Sequence, residues 1–370
     1  MTTYAAANPY ELWTSHELLG TFRDERPETW VFGDYFANQY RSTDEWIDFE
    51  KLPVRSRKLS PLVKPMGRGH GVFTDKVQGY RFKPANTVVE DSVDPLRPLT
   101  FQPGIDTSML MPTPMDPMTR LGLIKVEMMN EMLISVQRRW EWLAAKAIID
   151  GKVTLGYRDG TSVLVDFQRA SGHTVTLTAG SRWGDSGVSI VDSIQSIFDT
   201  MSNAQFGGLP VRLYMGGTVA GVVRKDAEIL SHMDRFVDGG TMRVDRGVVG
   251  GSGTRGNGKV YKFGEFLVGG ASGQRVELWV NNETYDADDG TSTRYLASNE
   301  VVFCSTPEAI KGYQCFGMIV DKDAQYQALP IFPKNFETGE RVKVENLSAE
   351  SAPLMVPINP NATFKLTATA

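Results

Sequence analysis

Residues 116–151 read DPMTRLGLIKVEMMNEMLISVQRRWEWLAAKAIIDG and form the clearest periodic stretch of the chain. Apolar side chains recur in it at three- and four-residue steps, which place them on one face of an α-helix: Leu121, Ile124, Met128, Met132, Val136, Trp140, Leu143 and Ala147. Asp116 or Pro117 can open this helix, and Gly151 can end it. The pattern predicts a helix over about residues 118–149, roughly 48 Å long at about 1.5 Å per residue, with its methionines filling the core.

The chain around this helix is predicted to be rich in β-strand. Two strands, Lys152–Tyr157 and Ser162–Arg169, flank a turn at residues 158–160. Helices are expected at about 188–204 and 217–233, and Asp185 or Ser186 is expected to cap the first. Further extended segments are expected at 211–215, 259–268, 275–281, 294–303, 313–321, 340–346, 354–358 and 363–369.

The segments before the helix lack a regular period. Residues 1–57 are rich in large aromatic residues and acids, and they could bury these only in a small core of their own. They are therefore predicted to form an extended arm that packs on another surface. Residues 58–90 read as a long hairpin, in which residues 59–64 lead to a glycine-rich tip at 66–71 and residues 77–89 return. Loops of this length are typically functional or disordered.

The charge of the chain is unevenly distributed. The net charge of −5 does not favour a general nucleic-acid binder. Residues 51–83, however, carry nine basic side chains against Asp75 alone, a local charge of +8. This segment could be a DNA-binding arm, could dock on an acidic surface of another copy, or could be a solvated loop. No apolar run approaches the ~20 residues that span a bilayer, and the N-terminus does not read as a secretory signal, so the cytosol is the default compartment.

Cysteine and histidine do not form a recognisable metal motif. Cys304 and Cys315 fit no metal-ligand spacing and are expected to be inert, half-buried thiols. The four histidines share no helical ligand spacing: His16, His70, His173 and His232. No metal and no cofactor are therefore expected.

Three glycine-rich stretches imitate catalytic motifs. Residues 253–259 (GTRGNGK) are similar to a phosphate-binding P-loop, but Val260 stands where Ser or Thr would bind magnesium, and a strand is predicted to follow instead of a helix. The overlapping residues 251–256 match a dinucleotide-binding motif and lack the same helix. Residues 184–187 (GDSG) imitate a protease nucleophile, but the nearby His173 is placed on a polar turn. No enzymatic activity is expected, and a P-loop nucleotide hydrolase is the alternative from a different functional class.

Several stretches resemble the major capsid proteins of lambda-like tailed phages, which share the HK97 fold. Residues 60–63 (SPLV) and 80–84 (YRFKP) look like the two sides of that family's extended loop. Residues 155–169 resemble the paired strands that follow its spine helix. Tyr326, residues 333–336 (PKNF) and residues 351–355 (SAPLM) are similar to its C-terminal signature. The resemblance covers about residues 55–370.

This resemblance implies an α+β fold of the HK97 capsid type. The parts would be an N-terminal arm at 1–57, an extended β-hairpin loop at 58–90, a peripheral domain with a long spine helix at 91–187, an axial domain at 188–330, and a return to the peripheral domain at 331–370. The chain would then be a non-enzymatic subunit of the virion capsid. An encapsulin-type shell of a bacterial compartment, which has the same fold, is the structural alternative.

The resemblance also implies which partners to expect. Copies of the chain would assemble as hexamers and pentamers, in the host cytoplasm, into an icosahedral shell around double-stranded DNA. A separate scaffolding protein, a portal and a decoration protein are further expected partners. Packaged DNA would be contacted only non-specifically, and no membrane partner is expected.

The basic hairpin is expected to lie across an adjacent subunit, with Arg68, Lys76 and Arg81 facing carboxylates there. Covalent cross-linking from Lys64 or Lys76 to an asparagine is not expected, because the chain resembles the lambda-like members, which do not cross-link.

Overall fold

The computed structural model describes residues 12–15, 17–18, 30–42, 44, 46–51, 78–99, 116–232, 237–238, 241–242, 254–255, 258–268, 274–287, 290–341 and 343–370. The helices in these ranges are α1 (Pro117–Ile149), α2 (Ile190–Asn203), α3 (Gly217–Val223), α4 (Ala227–His232) and α5 (Pro307–Ile310). Short 3-10 helices lie at Gly33–Tyr35, Arg97–Leu99, Ser171–His173 and Pro360–Ala362.

The strands in the same ranges are β1 (Asn38–Arg41), β2 (Ile47–Lys51), β3 (Gln78–Phe82), β4 (Thr87–Ser92), β5 (Lys152–Gly156), β6 (Ser162–Asp166), β7 (Thr174–Thr176), β8 (Arg212–Met215), β9 (Val237–Asp238), β10 (Thr241–Met242), β11 (Thr254–Arg255), β12 (Val260–Val268), β13 (Gln274–Asn281), β14 (Thr284–Asp286), β15 (Ser292–Arg294), β16 (Glu300–Cys304), β17 (Gly312–Phe316), β18 (Phe332–Thr338), β19 (Val344–Ser351), β20 (Pro353–Pro357) and β21 (Thr363–Thr367).

Helix α1 begins and ends where its sequence predicts. The Asp116 side chain is the N-cap and accepts a hydrogen bond from a backbone N–H of the first turn at 3.2 Å. Pro117 is the first helical residue, where the missing N–H costs no helical bond. Gly151 follows the helix with a φ of +66°, a conformation that favours glycine. The Arg169 guanidinium then donates to the carbonyl oxygens of the last two helical residues, at 3.0 and 2.9 Å, so α1 is also capped from outside.

Seven strands form the largest sheet, in the order β11-β12-β13-β8-β16-β21-β7. β8 pairs in parallel with β13, and β21 pairs in parallel with β7. Successive residues of β8 point to opposite faces. Leu213 and Met215 pack in a buried cluster with α2 and α3, whereas Tyr214 belongs to the cluster around α1. The central strands of this sheet are therefore covered on both faces.

Two three-stranded sheets pack along α1. In the sheet β1-β17-β20, β1 runs parallel to β17. Trp140 of α1 packs on Phe316 of β17, with ring centroids 5.2 Å apart. In the sheet β18-β19-β4, Leu347 and Ala349 of β19 share a buried cluster with Met132 of α1. The apolar face predicted for α1 is thus the face that these two sheets cover.

The returning side of the predicted hairpin consists of two strands, not one. β3 ends at Phe82 and pairs with β2, whereas β4 begins at Thr87 and pairs with β19 in a different sheet. Pro84 lies between them, and proline has no N–H with which to continue a ladder. The partner of β3 is Ile47–Lys51, within the segment predicted as the arm. The outward strand predicted at 59–64 lies outside the described residues.

The cap predicted for α2 was wrong. Ser189, not Asp185 or Ser186, caps the helix by accepting a hydrogen bond from the backbone N–H of Asp192 at 3.1 Å. The Asp185 carboxylate instead accepts the backbone N–H groups of residues 180 and 182, at 2.8 and 3.1 Å. It therefore closes the turn before the helix, because its side chain can reach backward as easily as forward.

Several other elements have bounds that differ from those that their patterns predict. The helix expected at 217–233 is divided into α3 and α4, because Asp226 accepts the backbone N–H of Ile229 at 2.9 Å and starts a new helix. The strand expected at 294–303 is divided between β15 and β16, and the strand expected at 313–321 ends at Phe316. The strand expected at 340–346 begins at Val344.

The largest sheet combines distant parts of the chain. β7 and β21 come from outside residues 188–330, the range predicted as the axial domain. The sheet β18-β19-β4 likewise joins residues 87–92 to residues 332–351. The predicted assignment of residue ranges to peripheral and axial domains stays a prediction.

Candidate self-assembly surface

Strands β2 and β3 form the two-stranded stem of the predicted loop. Arg81 on β3 lies opposite Asp48 on β2, and its Nε and Nη2 atoms donate to the two carboxylate oxygens at 2.8 and 3.2 Å. These hydrogen bonds lower the pKa of Asp48 and raise the pKa of Arg81. The side chains are 63% and 61% exposed, so water screens the pair. Arg81 thus lies on the surface with a partner in its own chain.

Arg81 is the one residue of the predicted contact set that the structure describes. Arg68 and Lys76 lie outside the described residues. The structure therefore does not bring the three residues together, and their contact with a neighbouring copy stays a prediction. If Arg81 contacts a neighbouring copy, its guanidinium must bind that copy in addition to Asp48 or in place of Asp48.

The stem is held to its own chain on one side. Ile47 is completely buried in the main core cluster. The Phe82 ring packs against Phe167, with centroids 5.6 Å apart. On the other side, Lys83 lies over the ring of Trp46 at 5.9 Å, and Trp46 remains 43% exposed. The stem thus has a buried root and an exposed face that carries an aromatic ring and positive charge.

Residues 30–41, which we name the strap, cross from α1 to the sheet β1-β17-β20. Phe32, Tyr35 and Phe36 are almost completely buried. The hydroxyl groups of Tyr35 and Tyr214 lie 3.2 Å apart, and burial raises the pKa of Tyr35. The strap ends in β1, which pairs with β17.

The expectation that the aromatic residues of the arm pack on a surface outside the arm holds for the strap, and that surface belongs to its own chain. They complete the core of their own chain, together with α1, β8 and β17. The sequence showed no period because the strap is a 3-10 turn followed by a short edge strand. Neither element is long enough to show the three- to four-residue repeat of a helix or the two-residue repeat of a strand.

A buried carboxylate fastens the strap to α1. Glu141 Oε1 accepts the backbone N–H groups of Val31 and Phe32 at 3.1 and 2.7 Å, and Oε2 accepts that of Gly33 at 2.8 Å. Burial raises the pKa of Glu141 to about 8, although the three N–H donors oppose this shift. A side chain at Gly33 would collide with the ring of Trp30, so glycine is required there.

A buried lysine holds a second N-terminal segment on the same helix. Lys125 is 1% exposed, forms an ion pair with Glu345 of β19, and lies 5.4 Å from the ring centre of Trp13. Leu18, which is fully buried, packs in the same cluster. The N-terminal residues therefore contact α1 both at Lys125 and at Glu141.

Neither Lys125 nor Glu141 was predicted from the sequence. Both charges fall among apolar neighbours, between Ile124 and Met128 and between Trp140 and Leu143. A charge within the apolar part of a helix is the signal that could have found them, because such a side chain needs a buried partner. The identity of those partners is not visible in the sequence.

The P-loop-like stretch does not open a helix. Residues 251–253 and 256–257 lie outside the described residues. Lys259 leads directly into β12, as predicted, and its Nζ donates to Thr284 Oγ1 at 3.3 Å. The described end of this stretch therefore lacks the helix N-terminus that a phosphate site requires.

His173 and the cysteines are more buried than their sequence suggests. His173 lies at the end of the short polar 3-10 turn Ser171–His173, but its own side chain is only 2% exposed, with Nδ1 3.1 Å from the carbonyl oxygen of Thr363. Burial lowers its pKa. Cys304 and Cys315 are fully buried instead of half-buried, and burial raises the pKa of Cys304 to about 12. These thiols are not poised as nucleophiles.

The described part of the chain contains no group of three or more histidine, cysteine, aspartate or glutamate side chains placed to bind a metal ion. None of its helices is both long and apolar enough to cross a membrane.

The chain is similar to known proteins along most of its length. Residues 22–368 match the family model described as phage major capsid protein E. The major capsid protein of Escherichia phage lambda is 23% identical over 332 residues, which cover 88% of this chain and 90% of the lambda protein. The P21 prophage-derived major head protein of Escherichia coli O6:H1 is 23% identical over 359 residues, covering 95% and 97% of the two chains.

The fold agrees with a solved structure. The crystal structure of a prophage capsid protein from Escherichia coli CFT073 superposes with a TM-score of 0.68 and 17% identity, covering 97% of this chain and 100% of that chain. This likeness confirms the predicted α+β capsid fold of the HK97 type. Because the family model matches nearly the whole length, the chain belongs to the phage major capsid protein E family and is a major capsid protein of a phage head.

Proposed function

We propose that copies of this protein assemble as hexamers and pentamers into an icosahedral shell around double-stranded DNA, and that the loop beyond the stem joins neighbouring subunits. The family match over residues 22–368 carries this proposal. The stem supports the role of the loop, because its two strands are rooted in the core by Ile47 and Phe82. Residues 52–77, which connect these strands, contain six of the nine basic residues of the +8 segment.

Charge supports a contact between copies. The local charge of +8 is offset elsewhere, since the whole chain has a net charge of −5. Exposed carboxylates of β4 and the turn after it are suitable acceptors: Glu90, Asp91 and Asp94. Complementary charges of this kind set the register and the rate of association more than its strength. Repetition over every subunit of a closed shell then makes modest contacts sufficient.

The proposal extends to partners and location. Assembly would take place in the host cytoplasm, with a separate scaffolding protein, a portal and a decoration protein. The acidic net charge is consistent with an inner wall that contacts packaged DNA only non-specifically. The proposed role is structural and not catalytic, which is supported by the strand that follows Lys259 and by the burial of Cys304 and Cys315.

The test is a charge reversal in the loop. Replacing Arg68, Lys76 and Arg81 together by Glu should leave the unassembled protein folded but reduce particle yield in sedimentation at least about tenfold, because the repeated contacts between copies are lost. The matched control replaces three exposed basic residues elsewhere by Glu: Lys152, Arg158 and Lys225. This control changes the net charge equally and should assemble nearly normally.

A swap separates the two roles of Arg81. Exchanging the charges as Arg81→Asp with Asp48→Arg restores the pair within the stem but reverses the charge offered to a neighbour. If Arg81 serves only the stem, the swap will assemble like the wild type. A loop triple variant that forms particles as efficiently as the wild type would refute the contact between the loop and a neighbouring subunit, and would favour the solvated-loop interpretation.

A further inference from the structure

Residues 319–327, which we name the knob, form a tight loop between β17 and β18. One backbone hydrogen bond joins the first and last residues of the knob at 3.2 Å, and another runs from the N–H of Tyr326 to the carbonyl oxygen of Asp321 at 3.3 Å. Val320 and Tyr326 therefore lie close together on the loop. They are 66% and 53% exposed, and Tyr326 is the most exposed aromatic residue in the described part of the chain.

The backbone that presents Tyr326 is strained. Gln325 and Tyr326 have φ angles of +54° and +56°, in the left-handed region that favours glycine. In the part of the chain that the structure describes, they are the only two adjacent residues other than glycine with a positive φ. Bulky side chains rarely adopt this conformation, and such strain is concentrated where a protein binds or reacts. The strain therefore points to a function for the exposed ring.

The knob is held rigidly from below. Lys334 of β18 forms ion pairs with Asp321 and Asp323 at 2.9 and 2.6 Å. Ala324 packs with Phe332 of β18 in a small buried cluster that is separate from the main core. A surface that is already ordered loses little conformational entropy when it binds a partner. Val320 and Tyr326 are thus presented on a preformed support.

The position of the knob indicates its partner. The carbonyl oxygen of Phe316, three residues before the knob, accepts the backbone N–H of Ser42 at 3.0 Å, and Gly317 lies so close to Pro84 that a side chain would not fit between them. The knob therefore begins beside the root of the stem, from which the proposed intersubunit loop extends. Because the chain is a major capsid protein, the partner that fits this place is a second copy.

Charge at the edge of the apolar patch agrees with this partner. The Asp323 side chain is 63% exposed and can accept a basic side chain of the second copy, whose residues 51–83 have a local charge of +8. Tyrosine is also among the residues that contribute most to protein interfaces, since its ring covers a large area and its hydroxyl can still form a hydrogen bond.

We propose that the knob is an anchor through which one copy of this chain binds another, with Tyr326 and Val320 buried against the second copy. The proposal rests on the proposed assembly and adds a contact to it. This contact differs from the charged contact of the loop because it depends on apolar burial. High salt should therefore weaken it less than it weakens the loop contact.

A double substitution tests the anchor. Tyr326→Ala with Val320→Ser should reduce particle yield in sedimentation at least about tenfold, while the circular dichroism and the urea midpoint of the unassembled protein stay close to those of the wild type. The matched control is Tyr157→Ala with Val163→Ser, which removes an exposed tyrosine and an exposed valine from the hairpin β5–β6. The control should assemble like the wild type.

A glycine at position 326 separates docking from folding. Glycine adopts a positive φ without strain, so Tyr326→Gly should not lower the urea midpoint, although particle yield should fall as in the double variant. Hydroxyl-radical footprinting of the wild type gives an independent measurement. Oxidation of Tyr326 should be at least about tenfold slower in particles than in the unassembled protein.

The contrary outcomes are distinct. Normal particle yield from the knob double variant, together with failure of the loop triple variant, would overturn the anchor and leave the proposed function standing. Equal losses of yield in the knob variant and its matched control would also count against the anchor. If Tyr326→Gly unfolds at lower urea, Tyr326 serves the fold and not docking. A wild type that forms no particles would contradict the anchor and the proposed function together.

Discussion

The strap and the stem both come from the N-terminal part of the chain and both end in short strands, yet they are held differently. The strap buries Phe32, Tyr35 and Phe36 and is fastened through backbone N–H groups by a buried acid. The stem shows an exposed Arg81–Asp48 pair that water screens. The strap completes the core of the subunit, whereas the stem keeps its charged pair on the surface. Position in the chain therefore does not decide which segment is available to a neighbour; burial does.

The largest expected effect tests directly whether the strap contributes more to the core than the stem does. Phe36→Ala should lower the free energy of unfolding by about 3–5 kcal/mol, because the ring is fully buried against the strand β17 and leaves a cavity. Phe82→Ala, at the half-buried root of the stem, should cost only about 1–2 kcal/mol. Urea denaturation of the unassembled protein measures both. Equal losses would show that the stem is as much a part of the core as the strap.

A smaller effect is expected at the second N-terminal contact with α1. Lys125→Met should destabilise the protein by about 2 kcal/mol, because it leaves Glu345 without its cation and removes the charge beside Trp13. Lys146→Met breaks a half-exposed pair on the same helix and should cost no more than about 0.5 kcal/mol. Adding Glu345→Leu to Lys125→Met should recover part of the loss. No recovery in this double-mutant cycle would mean that the two residues are not coupled.

The smallest expected effect sharpens the comparison through pH. The pKa of Asp48 is lowered by its hydrogen bonds with Arg81, so the pair contributes above the ordinary value of 3.8 and is lost as pH falls through the lowered value. Acid should therefore loosen the stem. Corrected hydrogen exchange between about pH 3 and pH 6 can follow residues 47–51 and 78–82. Asp48→Asn should remove this acid response, and its persistence would assign the response to another group.

Several elements could be predicted because neighbouring residues alone specify them. The length of α1 follows from its apolar period, its Asp116 cap and Gly151. The hairpin β5–β6 follows from its alternation and the turn at residues 158–160. The same local reasoning showed that Lys259 leads into a strand, which argued against a nucleotide site.

Other features depend on contacts between distant residues. The split of residues 77–89 into β3 and β4 reflects their pairing with β2 and β19, which no local pattern specifies. The aromatic residues of the strap have no period because their partners on α1 and β8 lie more than a hundred residues away. Such contacts are specified by the packing of the whole chain and not by propensity.

The amino-acid order alone was enough for the long helix, the β-rich remainder and the resemblance to phage capsid proteins, since these rest on local periods, caps and short motifs. Long-range packing alone placed Glu141 under the strap, Lys125 beside Glu345, and Arg81 opposite Asp48. The physical reason is that the position of a charged residue in the sequence does not reveal which residue it will pair with. Burial sets how strongly two charges interact, and burial exists only once the sheets have closed around the helix.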